Sequence, residues 1–107
     1  MTTKRWVPGA LIPSNFETIA LANGTSVAVG LNSTSRQCDA FHISVETNDV
    51  RYRFDSTAPT ATTGILVQKD TDFWFKGLRQ SDLANLKFIS STGTGLIQVM
   101  AYKYLGT

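Results

Sequence analysis

Any acid–base or metal chemistry in this chain would have to be built from one histidine, one cysteine and eight carboxylates. His42 has Ala40 and Ser44 as its neighbours two residues away, and no second histidine exists to complete a two-histidine metal site. No serine or cysteine stands in a nucleophile motif. Cys38 has no thiol partner, which excludes an internal disulfide and a cysteine-based metal cage. The carboxylates are Glu17, Asp39, Glu46, Asp49, Asp55, Asp70, Asp72 and Asp82, and most fall in stretches that read as turns or strand ends. Acidic side chains accept backbone hydrogen bonds in such places. Asp70 and Asp72 lack the ligand spacing of a calcium loop. Asn23-Gly24-Thr25 and Asn32-Ser33-Thr34 match the glycosylation pattern, but Asn-Gly is better explained as a turn. The residues therefore point to no catalytic group, no metal and no cofactor.

Binding is the chemistry the remaining residues suit. Arg51-Tyr52-Arg53-Phe54 interleaves cations with aromatics. A strand places successive side chains on opposite faces. That separates the arginines from the rings, whereas a nucleic-acid stacking platform needs both on one surface. Arg51 and Arg53 are instead candidates for pairing with acidic groups on a protein partner. Trp74 lies between Phe73 and Phe75 in Asp72–Lys76, so if the phenylalanines face a core the tryptophan faces away from it. Exposed tryptophan is a common interface anchor. The stretch Leu96–Leu105 is apolar on both faces, with Ile97, Val99 and Ala101 on one and Leu96, Gln98, Met100, Tyr102 and Tyr104 on the other. Such a strand is central and covered, or it forms an intersubunit contact, to which Tyr102 and Tyr104 are suited.

These residues need a scaffold, and the pattern around them is that of strands. Expected strands are Phe16–Leu21, Thr25–Leu31, Cys38–Thr47, Val50–Phe54, Gly64–Gln68, Asp72–Lys76, Leu86–Ser91 and Leu96–Leu105, with Asn23-Gly24 as a hairpin turn between the first two. Ser81–Asn85 is long enough for one helical turn. About eight antiparallel strands and no long helix predict a single all-β domain, a jelly-roll-like antiparallel β-sandwich over residues 16–107. Residues 1–15 contain Pro8 and Pro13 and are expected to be an extended N-terminal arm. Lys4, Arg5, Trp6, Leu11 and Ile12 in this arm are apolar or basic enough to lie on a neighbouring subunit, so the arm is expected to order on assembly. Asp55–Gly64 is expected to be a rigid contact loop, with Asp55 holding its first turn, Pro59 stiffening it, and Thr57 and Thr60 offering hydroxyls.

Composition agrees with this picture. The chain has 107 residues, 17% of them charged, and a formal net charge of +2. That near-neutral balance argues against wholesale nucleic-acid binding. No apolar run reaches the roughly 20 residues needed to span a bilayer, and the first residues lack the apolar stretch of a secretory signal.

The segment Arg51–Gly64, RYRFDSTAPTATTG, followed by an apolar strand and an aromatic pair, resembles small virion proteins of tailed bacteriophages. These carry an R-x-R-x-D-G-T-A-P-T-A-like segment and end in a tyrosine-bearing strand. Arg51, Arg53, Asp55, Thr57, Ala58, Pro59, Thr60 and Ala61 fit the pattern, and Ser56 stands in place of the glycine. The resemblance covers roughly residues 38–105. By analogy with capsid cement proteins of similar size, it implies a decoration or cement protein on the capsid surface, made in the host cytoplasm. Its partner would be the major capsid protein, and it would act as a dimer or trimer without nucleic acid or membrane. The alternative is a tail- or fibre-associated adaptor or a receptor- or glycan-binding module. A single-strand nucleic-acid binder using Arg51 and Arg53 ranks third.

Overall fold

The computed structural model describes residues 10–21 and 28–105. Eight strands form two antiparallel sheets of four. They are β1 (Leu11–Leu21), β2 (Val29–Gly30), β3 (Ala40–Thr47), β4 (Val50–Arg53), β5 (Ile65–Val67), β6 (Thr71–Lys76), β7 (Lys87–Ser90) and β8 (Gly95–Tyr104). One sheet runs β1-β8-β3-β6 and the other β2-β7-β4-β5. The pairing is nested: first strand with last, second with seventh, third with sixth, fourth with fifth. The chain is thus an all-β sandwich.

The inward rows come straight from the period-two pattern. Phe41, Ile43 and Val45 of β3, and Ile97, Val99 and Ala101 of β8, are all buried and pack against Val50 and Phe88 of the facing sheet. One turn of 3-10 helix, Ser35–Gln37, and one short helix, α1 (Gln80–Asn85), close the sandwich. The helix forms where SDLAN allows it because Leu83 and the following Leu86 both reach the core.

Three expectations change. Asn23-Gly24 lies outside the described residues, and the strands on either side of it, β1 and β2, belong to opposite sheets and do not pair with each other. Phe54, expected in the core, is 36% exposed because β4 ends at Arg53. The arm boundary also moves. Leu11 pairs with Tyr104, Ile12 with Lys103 and Pro13 with Tyr102, so these residues belong to the sheet rather than to an arm that orders on assembly. Pro13 is tolerated because β1 is an edge strand, where a missing N–H need not break a ladder. The register breaks between Pro13 and Asn15. Residues 1–9, with Lys4, Arg5 and Trp6, lie outside the described part.

Candidate interaction face

The outer face of β1-β8-β3-β6 carries a row of large side chains across all four strands. Phe16 stands beside Met100, Met100 beside His42, and His42 beside Trp74. Each faces away from the core because its neighbours in sequence face into it. Phe16 is 58% exposed and Trp74 43% exposed, at the two ends of the row. Adjacent strands lie about 4.8 Å apart, so the row spans roughly 14 Å. One step along the strands, Pro13, Tyr102, Ala40 and Lys76 form a second row, and Ala40 is fully covered. On the other side, Thr18, Gln98, Ser44 and Asp72 form a polar row, with Thr18 Oγ1 bonded to Gln98 Oε1 at 2.5 Å.

Trp74 is held upright by its neighbours. His42 stacks on it with ring centroids 4.8 Å apart and planes inclined by 17°. Tyr102 meets it at 5.3 Å, and Lys76 Nζ lies 4.9 Å from the ring centroid. His42 in turn is fixed by Asp72, whose Oδ2 is 2.6 Å from Nε2. Trp74 nonetheless remains 43% exposed.

No family model, curated protein or solved structure matches the chain.

The remaining expected contact residues divide in two. Tyr102 belongs to the face, and Tyr104 continues it along β8 with its backbone N–H donating to Asp39 Oδ2 at 2.9 Å. Leu11 of β1 pairs with Tyr104, whereas Ile12 pairs with Lys103 on the opposite face of the strand and is exposed. Arg51 and Arg53 lie on the other sheet and are engaged internally. Arg51 donates from Nε to the Ala61 carbonyl at 3.1 Å and from NH1 to the Gly64 carbonyl at 2.9 Å. A guanidinium is the side chain suited to this, since its fixed fork can reach two acceptors at once. Arg53 binds both carboxylate oxygens of Asp55, at 2.9 and 2.5 Å. That bonded guanidinium holds the Asp55 carboxyl below its ordinary range. Both guanidiniums are thus already bonded within the chain.

The loop they brace is a built structure. Thr60 Oγ1 accepts the Thr62 and Thr63 amides, and the Thr60 amide donates to the Thr63 carbonyl at 2.9 Å. Pro59 is buried beneath the loop, not available at its surface, while Thr57 and Thr60 are exposed. Gly64 closes the loop with φ +129°, and a Cβ there would stand 3.1 Å from the Tyr52 carbonyl.

Burial pushes the Cys38 thiol up, with Asp39 adding and Lys103 opposing. Burial likewise pushes up the Tyr52 hydroxyl. Among the described residues, no group of three His, Cys, Asp or Glu side chains could hold a metal ion, and no helix is long and apolar enough to cross a membrane.

Sequence reasoning named Trp74, Tyr102 and Tyr104 as contact candidates and put Met100 on the same strand face as the tyrosines, but it did not group Phe16 and His42 with them. The signal that unites them is cross-strand register, and register needs the strand order.

Proposed function

We propose that this chain is a virion structural protein of the capsid decoration or cement type, and that it docks on the major capsid protein through the outer face of β1-β8-β3-β6. The observation that carries the docking reading is the exposed row Phe16–Met100–His42–Trp74, braced by Tyr102, Lys76 and Asp72. Isolated exposed apolar residues are ordinary, but a contiguous row with aromatic ends is what interface cores are made of. The capsid reading is supported by the resemblance of Arg51–Gly64 to phage virion proteins. The nested strand order also supports a jelly roll, an architecture common in viral capsid proteins. Fold alone does not assign function, so the reading rests on the face.

Its mechanism is mechanical. The pre-ordered face loses little side-chain freedom on docking, because ring stacking and the hydrogen bond between His42 and Asp72 already fix Trp74 and His42. Repetition over a symmetric shell then multiplies a modest single-site affinity. The test is sedimentation of purified chain with capsid shells that lack it. Wild type is expected to saturate the shells in proportion to the capsid subunits, and Phe16→Ser with Trp74→Ala to bind much more weakly. Binding only at tail structures would replace this reading with the tail-adaptor one, and salt-sensitive retention on single-stranded DNA alone would replace it with the nucleic-acid one.

A further inference from the structure

The sandwich has four edge strands, and they are not equally protected. Edge strands offer unpaired backbone groups, and proteins blunt them with proline, bulges, charge or brevity. β1 carries Pro13 and the register break, β6 carries Asp72 and Lys76, and β2 has two residues. β5 is also short, at three residues, but it has neither proline nor charge, and its Ile65 and Leu66 are 58% and 45% exposed. Ile65 also lines a depression of about 430 Å³ with Tyr52, Arg53, Phe54, Asp55 and Gly64. This site is therefore apolar at its centre, with one cation and one anion in its wall.

We propose that the β5 edge and this depression form a two-fold contact between copies of this chain. The occupant is a second copy because the charge pattern is self-complementary. A two-fold axis makes each residue's contact reciprocal. With the axis beside Ile65, the Ile65 and Phe54 side chains of each copy pack on the other, and Arg53 of one copy reaches Asp55 of its partner. The pair that now closes within the chain at 2.5 Å is thus exchanged between copies without leaving either charge unpaired. Arg51 pins the adjoining loop through the Ala61 and Gly64 carbonyls, so this border of the surface is already ordered. The contact uses the sheet opposite to the docking face and does not depend on the capsid reading.

Sedimentation equilibrium of the purified full chain tests it, with no capsid present. Wild type is expected to associate to a dimer over a concentration series reaching about 1 mM, the limit of weak but specific affinity. Arg53→Asp and Asp55→Arg should each weaken association at least about tenfold, and their equimolar mixture should restore a mixed dimer. Ile65→Lys should also yield monomer. Far-ultraviolet circular dichroism verifies that each variant keeps the wild-type fold, and Leu66→Lys substitutes for any that does not. A wild type that stays monomeric throughout, charge variants that associate as wild type does, or a mixture that fails to restore the dimer would each overturn the proposal.

Discussion

Replacing Trp74 with alanine should weaken docking and lower the stability of the domain by amounts of the same order. A tryptophan buries about 150–250 Å² when fully covered. At 43% exposure roughly 65–110 Å² of Trp74 remains to be covered by a partner. At about 25 cal/mol per Å² that contributes about 1.6–2.7 kcal/mol to docking, or roughly a 15- to 100-fold change in Kd. Within the domain the mutation removes stacking on His42 and Tyr102. Such ring contacts are worth about 0.5–1.5 kcal/mol each. A loss of that order would lower Tm by several degrees, at about 4–8 °C per kcal/mol in a domain of this size. Titration of the variant against immobilised capsid shells gives the first quantity, and thermal melting of the isolated variant gives the second. If the variant binds shells within about twofold of wild type while remaining folded, the face has been misassigned.

Four further outcomes follow from the braces around the sheets. Ser35 is fully buried, donates to Glu17 Oε2 and accepts from Asn15 Nδ2 at 2.9 Å. Ser35→Ala should therefore cost about 1–3 kcal/mol in denaturant unfolding, and a wild-type-like midpoint would show that the β1–loop connection is dispensable. Gly64→Ala places a side chain at φ +129° and 3.1 Å from the Tyr52 carbonyl, so it should cost at least about 1 kcal/mol, read from chemical melts. Arg51→Met should speed amide exchange at Thr60 and Thr63, because the loop loses both side-chain bonds to Ala61 and Gly64; unchanged exchange would mean that the threonine turn holds the loop alone. The Asp55 carboxyl is held below its ordinary 3.8 by its bond to Arg53, so its contribution to stability is complete above that ordinary value and lost as pH falls through the lower folded value. Wild type and Asp55→Asn should accordingly differ at neutral pH and converge in strong acid, and a gap that persists there would contradict the pairing.

The legible parts of this structure were those set by local alternation. Phe41, Ile43 and Val45 separate from His42 and Ser44 by the strand period alone, and Phe73 and Phe75 separate from Trp74 in the same way. Local turn chemistry likewise marked Asp55–Gly64 as a loop. What alternation does not encode is which strands become neighbours. Phe16 and Met100 lie near opposite ends of the chain, and only the pairing of β1 with β8 brings them together. Arg51 was legible as an outward-facing cation, but its acceptors are backbone carbonyls of the loop, which leave no side-chain signal. Pro13 reads as part of an extended arm, yet it lies within β1, where an edge position with a local register break accommodates it.

The most direct test of the docking claim is a cryo-EM reconstruction of a capsid shell saturated with the purified chain. The account places the outer face of β1-β8-β3-β6 against the major capsid protein, with Phe16 and Trp74 both in the contact and copies repeating with the capsid lattice. A map in which that face points to solvent, or in which the chain occupies no lattice-repeated position, would contradict it.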